Sequence, residues 1–114
     1  MRRVAVTGMG VVSPHGIGAD AFFDALVEGR SAVGVLDIAG PRPLATRIGA
    51  AVRFDSAQHF PAAKARMLDR VSQFALVAAA EAVIQSQGAL EGDKTRMGTF
   101  VGTGMGGAQT TDES

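Results

Sequence analysis

The sequence predicts an α/β layered fold, and three observations carry that prediction. Residues 3–7 form a β-branched run that stops at a glycine, residues 69–87 show a long helical pattern rich in alanine, and residues 97–101 form a second short run that leads into a glycine-rich loop. The first run is nearly continuously apolar, which is typical of a buried strand in a parallel sheet. An α/β layered fold is expected from this order of elements: strand, helix, possible strand, helix, strand.

The composition predicts that residues 1–114 are an incomplete domain. Hydrophobic residues make up 46% of the chain, but aromatic residues make up only 5%, and there is no Trp or Tyr. Small side chains bury little apolar area each, and a domain of this length is marginal even with an ordinary core. We therefore expect the chain to pack against more protein.

Charge and cysteine content exclude several classes of function. Eleven basic residues balance eleven acidic ones, whereas a general nucleic-acid binder carries a basic excess. The absence of cysteine excludes disulfides, Cys-ligated zinc and a Cys nucleophile within these residues. The longest apolar stretch, 74–84, is too short for a membrane span. A cytoplasmic protein with no membrane or nucleic-acid partner, no metal and no cofactor is expected.

The first third of the chain predicts a strand, a loop and a helix. Residues 8–10 read as a tight turn, and residues 13–16 prolong the loop. Asp20 is the predicted N-cap of a helix that runs to Val27 and ends at Gly29. The apolar positions of this helix share one face: they are Phe22, Phe23, Leu26 and Val27.

The middle of the chain predicts a loop, a second strand and a short helical turn. Residues 30–46 are rich in proline and glycine and read as loop, and residues 47–54 read as the strand. Asp55 or Ser56 is a predicted cap for a turn near residues 61–67.

The clearest predicted element is the helix over residues 69–87. It is apolar nearly all round, which predicts burial on more than one side. Asp69 is its predicted N-cap, and Gly88 is its predicted C′ residue. The strand at 97–101 then enters the second glycine run.

Both glycine runs follow a predicted strand, as phosphate-binding loops do. The first half-matches the dinucleotide fingerprint, but Ser13 stands where the third glycine belongs, and no helix begins within the loop. The second run, 102–107, has no Lys-Ser or Lys-Thr after it, so it is not a Walker loop. The alternative is that the glycines allow close passage of the backbone or positive φ, and the residues favour that interpretation.

Four segments taken together resemble the β-ketoacyl-[acyl-carrier-protein] synthases. RRVAVTGMGVVSPHG at 2–16 resembles the opening of that family, and LVEGRSAVG at 26–34 is similar to its L-x-x-G-x-S-G-I stretch. LDRVSQFA at 68–75 resembles its M-D-R-x-x-Q-x-A helix start. RMGTFVGTGMGG at 96–107 resembles its R-I-G-x-x-x-G-S-G-x-G-G segment. Each motif alone has low specificity for the family, but four motifs in the order in which the family carries them form a specific match.

The resemblance implies the N-terminal part of a thiolase-like fold with α-β-α-β-α layers, present as a homodimer or pseudo-dimer. It implies an acyltransferase that performs a decarboxylative Claisen condensation on acyl and malonyl thioesters of acyl carrier protein. The cysteine nucleophile and two histidines of the family are expected beyond position 114, since His15 and His59 do not match their motifs. No catalytic residue is therefore expected here, and the 114 residues alone are expected to condense nothing.

Within the chain, the resemblance implies three site residues. Met105 occupies the variable position of the G-S-G-x-G-G segment, where relatives look into the acyl pocket, although plain core packing is an equal alternative. Lys64 and Arg66 lie where relatives carry basic residues that dock the acidic carrier protein, against the alternative of a solvated basic turn. Arg70 is a further candidate, with a structural ion pair as the alternative.

Two other classes of protein remain open at this point. One is the non-catalytic partner subunit of a polyketide synthase pair, akin to a chain-length factor, which shares the fold and lacks the cysteine. The other is a small nucleotide-binding module.

Overall fold

Three helices and two small sheets make up the described chain. The structure is a computed structural model, and it describes residues 1–37 and 45–108. Along the chain the elements are β1 (Val12–Ser13), β2 (Gly16–Ile17), α1 (Ala19–Val27), β3 (Gly34–Val35), β4 (Ile48–Gly49), a 3₁₀ turn (Ser56–Gln58), α2 (Ala62–Met67), α3 (Arg70–Gln85) and a second 3₁₀ turn (Lys94–Arg96).

Both sheets are two-stranded and antiparallel, so the prediction of a parallel sheet is wrong for the described residues. Val12 pairs with Ile17 across β1 and β2, and Val35 pairs with Ile48 across β3 and β4. The predicted strands at 3–7 and 97–101 belong to no sheet. A strand needs a neighbour for its N–H and C=O groups, and no described strand lies beside either run.

The loop predicted at residues 13–16 instead contains most of a tight hairpin. The two residues between β1 and β2 form its turn, and the Ser13 hydroxyl lies 3.3 Å from the Gly16 carbonyl oxygen, to which it donates. Helix α1 follows directly, with Gly18 (φ 113°) as its N-cap in place of the predicted Asp20. Asp20 lies in the first turn, where the helix dipole stabilises its negatively charged carboxylate. The predicted stop is confirmed, because Gly29 takes φ 65°.

The predicted loop at 30–46 is interrupted by β3, and its residues 38–44 lie outside the described ones. The predicted strand at 47–54 shortens to the two residues of β4. The predicted helical turn near residues 61–67 is confirmed as α2, but its N-cap is Pro61 and not Asp55 or Ser56. The Asp55 carboxylate instead caps the first 3₁₀ turn, where it accepts a hydrogen bond of 3.0 Å from the Ala57 N–H.

The long helix is confirmed as α3. Asp69 caps it, because the Asp69 carboxylate accepts a hydrogen bond of 2.9 Å from the Ser72 N–H. The helix ends at Ser86, and the C′ position falls on Gln87 (φ 49°) rather than on Gly88 (φ 87°), which follows it. Both residues take the left-handed conformation that terminates helices.

The predicted burial of α3 on more than one side is wrong for the described chain. Gln73 is its one buried residue, whereas Leu76 is 42% exposed and Ile84 is 78% exposed. Among the described residues, the only buried apolar side chain is Ala25. The face of α3 that carries Ala78 and Ala82 is half-buried, whereas the sides that carry Leu76 and Ile84 are exposed to solvent.

The dimensions of the chain agree with this exposure. The chain exposes 9687 Å², whereas a folded monomer of 11.7 kDa exposes about 5,900 Å². The radius of gyration is 17.2 Å, against about 13 Å for a compact domain of this length. The surplus of about 3,800 Å² is comparable to a large obligate interface. No helix in the described ranges has both the length and the apolar content to cross a membrane.

Candidate functional site

The first glycine run lies directly against α3. A Cβ atom built on Gly8 would overlap the Ala82 carbonyl, and one built on Gly10 would overlap the Ala78 carbonyl. Ala78 and Ala82 are four residues apart, so they lie on one face of the helix. The predicted tight turn at residues 8–10 is wrong, since no turn forms there. The glycines instead allow the backbone to touch the helix.

Two polar side chains of α3 bind the backbone beside these glycines. The Met9 N–H donates to Gln85 Oε1 at 2.6 Å, and the Val11 N–H donates to Glu81 Oε2 at 2.9 Å. The other Glu81 oxygen, Oε1, accepts a hydrogen bond of 2.8 Å from the Ala19 N–H. Ala19 is the first residue of α1, so the Glu81 carboxylate lies at a helix N-terminus, where unpaired N–H groups and the helix dipole favour an anion.

This arrangement supports the packing interpretation of the first glycine run. Donors that a phosphate would need, the N–H groups of Met9, Val11 and Ala19, are already bound to side chains of α3. The roles of Glu81 and Gln85 were missed by the sequence analysis. The available signal is that Glu81 is the one charged residue within the apolar stretch 74–84.

The second glycine run is more open. An added Cβ would meet no atom within 4 Å at Gly102 or Gly104. At Gly106 it would lie 3.0 Å from a methyl group of Val71, and Gly107 takes φ 78°. The end of this run therefore touches the start of α3, while its beginning is free of close contacts.

A cavity of about 620 Å³ lies between this run and α3, and Met105 is on its wall. Phe54 and Phe74 also line it, with ring centroids 5.0 Å apart in an edge-to-face arrangement. Met105 is 85% exposed, so its flexible side chain is free to move at this wall. The wall combines apolar side chains with polar ones such as Asp69 and Gln73, and the volume is large enough to hold an alkyl chain.

The basic residues near α3 have different surroundings. The Lys64 Nζ atom lies 5.7 Å from the Phe60 ring centroid, in a cation–π geometry. The Arg66 side chain is exposed and, within the described ranges, forms no hydrogen bond or ion pair. Both belong to α2, where positions two apart point about 200° apart around the axis. The two side chains therefore leave α2 on different sides.

Arg70 has a structural role. Its Nη2 atom donates to the Val52 carbonyl at 2.6 Å, and its guanidinium lies 4.9 Å from the Phe74 ring centroid. These contacts join the segment after β4 to the first turn of α3. The structural alternative for Arg70 is thus favoured. Its partners are a backbone carbonyl and an aromatic ring, and not the carboxylate of an ion pair.

Neither histidine lines the cavity. His15 is in the turn between β1 and β2, and the His59 ring stacks on Phe54 at 5.0 Å. Across residues 1–37 and 45–108 there is no group of three or more His, Asp or Glu side chains that could hold a metal ion.

The carboxyl group of Asp93 has a lowered pKa. The Thr95 hydroxyl donates to the Asp93 carboxylate at 2.6 Å, and the Thr95 N–H donates to it at 2.9 Å. These two hydrogen bonds, the hydroxyl one first, hold the pKa of Asp93 below its usual 3.8. Asp93 is fully exposed and caps the second 3₁₀ turn, so the shift reports a local cap.

Comparison with known proteins gives a consistent result along the whole chain. The family model described as Beta-ketoacyl synthase, N-terminal domain, matches residues 1–114. The chain is 44% identical over 108 residues to polyketide beta-ketoacyl synthase 1 of Streptomyces halstedii, covering 93% of this chain and 26% of that protein. It is 34% identical over 119 residues to the chloroplastic 3-oxoacyl-[acyl-carrier-protein] synthase I of Arabidopsis thaliana, covering 98% and 25%.

A third relative has a different name. The chain is 35% identical over 109 residues to the tetracenomycin polyketide synthase ketoacyl synthase beta subunit of Streptomyces glaucescens, covering 91% of this chain and 26% of that protein. The chain therefore spans about a quarter of the length of the curated relatives that it matches.

Proposed function

The chain belongs to the β-ketoacyl synthase family, and we propose that it is the N-terminal part of a 3-oxoacyl-[acyl-carrier-protein] synthase that elongates acyl chains in fatty-acid or polyketide synthesis. The observation that carries this proposal is the match of the family model to residues 1–114. The names of the relatives support a condensing enzyme of one of these two pathways.

The proposed reaction is a decarboxylative Claisen condensation. A cysteine thiolate takes the acyl group from its carrier thioester and releases the carrier thiol. Malonyl-carrier protein then loses carbon dioxide, and the carbanion that remains attacks the acyl-enzyme carbonyl, which expels the thiolate and yields the 3-oxoacyl thioester. The present residues contain no cysteine, so the nucleophile and the two histidines that stabilise the oxyanion are assigned to the remainder of the polypeptide.

The role of this chain is then that of a scaffold. The exposed apolar sides of α3 and the unpaired run at 3–7 support an incomplete domain, 1–114, of a thiolase-like α-β-α-β-α fold. In that fold, further strands and helices cover these surfaces. The parent protein is further proposed to act in the cytoplasm as a homodimer, or as a heterodimer with a paralogous subunit.

Two surfaces of the chain are proposed to meet the substrates. The cavity beside Met105 is proposed to receive part of the acyl chain, supported by its volume and by the apolar side chains of Phe54, Phe74 and Met105 on its wall. Helix α2, with Lys64 and Arg66, is proposed to dock the acidic carrier protein, supported by the exposure of both side chains. Of the two, Arg66 is the cation without a described partner.

A second candidate function is supported by the match to a ketoacyl synthase beta subunit. In this alternative the chain belongs to a non-catalytic partner subunit, akin to a chain-length factor, that lacks the nucleophile. Residues 1–114 fit both candidates, because the position of the cysteine nucleophile, which distinguishes them, is assigned to the remainder of the polypeptide.

The experiment that tests the proposal uses the intact polypeptide. Incubation with an acyl-carrier thioester, followed by mass spectrometry, is expected to show a covalent acyl adduct that hydroxylamine removes, and addition of malonyl-carrier protein is expected to release carbon dioxide and 3-oxoacyl product. A polypeptide that forms no adduct alone, but supports condensation when mixed with a catalytic paralogue, supports the second candidate. Absence of condensation in both settings would contradict the family-based function.

A further inference from the structure

Gln73 is the buried residue of α3, and its side chain ties this helix to α2. The side chain is 8% exposed. Its Nε2 atom donates two hydrogen bonds, one of 3.0 Å to the Ala65 carbonyl and one of 2.9 Å to the Leu68 carbonyl. Both donor positions of the amide nitrogen are therefore engaged by the segment that carries the basic residues.

Helix α2 depends on such outside partners. It has six residues, and the last four carbonyls of a helix have no N–H donor within the helix itself. Leu68, the C-cap, has extended backbone (φ −109°, ψ 128°), so the helix stops without a glycine cap. A helix this short is unstable alone, since nucleation is costly and few hydrogen bonds follow it. The Gln73 amide supplies the C-terminal cap of α2 from a neighbouring helix.

We infer that Gln73 is a positioning residue that holds α2, and with it Lys64 and Arg66, in the orientation from which they meet the carrier protein. This inference rests on the proposed docking role of α2. Gln73 also lies on the wall of the Met105 cavity, so one buried amide lies between the two proposed substrate surfaces. Its inferred effect on carrier docking acts through the placement of α2.

The test is the substitution Gln73→Met in the intact polypeptide, which keeps the length of the side chain and removes both donors. We expect the KM for acyl-carrier protein to rise about fivefold, since two buried hydrogen bonds to α2 are lost. The KM for a carrier-free acyl-pantetheine thioester is expected to change less than the KM for acyl-carrier protein, because this small substrate does not contact α2. Gln85→Met is the matched control, because it removes a side-chain hydrogen bond from the same helix at a point remote from α2; its carrier KM is expected to equal that of the unaltered protein.

Hydrogen exchange gives a measurement that does not depend on activity. In Gln73→Met, amide protection is expected to fall across α2 and to persist across the middle of α3. Equal protection of α2 in both proteins would overturn the inference. If Gln73→Met does not fold, Gln73→Asn gives the same comparison, since its shorter amide cannot reach both carbonyls.

Reversal of the two basic charges, Lys64→Glu with Arg66→Glu, separates the inference from the proposed function. A raised carrier KM in the charge-reversal variant but not in Gln73→Met would overturn the positioning role and leave the docking role intact. An unchanged carrier KM in both would remove the docking role of α2, even where hydrogen exchange shows that Gln73 fixes the helix.

Discussion

The two glycine-rich runs have similar composition, but their glycines have different structural roles. At Gly8 and Gly10, glycine is required because the backbone touches the carbonyls of α3, and any side chain would collide with them. At Gly102 and Gly104, an added Cβ would meet nothing within 4 Å. The first run is a packing contact, whereas the second borders a cavity whose wall includes the exposed Met105.

The capacity of a glycine-rich loop to bind a ligand depends on which partners its N–H groups already have. In the first run the N–H groups of Met9 and Val11 donate to side chains of α3, which leaves them no capacity for a ligand. In the second run the Gly106 N–H donates to the Thr103 hydroxyl at 3.0 Å, a local bond that leaves the cavity open. Composition alone does not separate these two situations.

The largest expected effect is on stability at the first run. Gly10→Ala in the intact polypeptide is expected to lower the free energy of unfolding by about 3 kcal/mol, because the new methyl group overlaps the Ala78 carbonyl and the backbone must move away from α3. Urea denaturation measures this. Gly104→Ala is the matched control, expected within about 0.5 kcal/mol of the unaltered protein. Equal losses at both positions would show that the two runs do not differ in packing.

The next effect concerns the carboxylate that binds the first run. Glu81→Ala leaves the N–H groups of Val11 and Ala19 without their partner, and we expect a loss of about 2 kcal/mol in unfolding free energy. Glu81→Gln keeps one acceptor and is expected to lose about half as much. If saturating inorganic phosphate restored the stability of Glu81→Ala, the N-terminus of α1 would be an anion site that Glu81 normally fills.

The second run is tested through acyl selectivity. Met105→Phe is expected to lower kcat/KM for long acyl primers about tenfold relative to short ones, because a rigid ring at the cavity wall shortens the space for the chain. The unfolding free energy is expected to stay unchanged, since Met105 is 85% exposed. An unchanged preference for chain length would assign Met105 to packing.

The smallest effect lies in the segment that leads to the second run. Thr95→Val removes the hydroxyl donor, so the pKa of Asp93 is expected to rise toward its ordinary 3.8, as followed by NMR titration of the carboxyl group. Because the folded pKa is lowered, this local cap is formed at neutral pH and is lost as pH falls through that lowered value. A pKa that does not move would show that the Thr95 hydroxyl does not bind the carboxylate in solution.

Elements with local causes were predicted correctly. Helix α3 and its cap Asp69 follow from a helical apolar pattern and a carboxylate three residues before the N–H that it binds. The end of α1 at Gly29 follows from the positive φ that glycine accepts. The strands at 3–7 and 97–101 were predicted wrongly because a strand depends on its neighbour, and none lies beside them in the described chain.

Family membership and the position of Met105 within its motif were readable from the sequence, because both depend on the order of residues along the chain. The partnership of Glu81 with Val11 and Ala19 was not, since these residues are 70 and 62 positions apart. The same holds for the reach of Gln73 to two carbonyls of a separate helical segment. Local order determines where the helices form and end. Only tertiary packing gives a strand its neighbour, or brings a distant side chain to a backbone N–H or C=O that needs a partner.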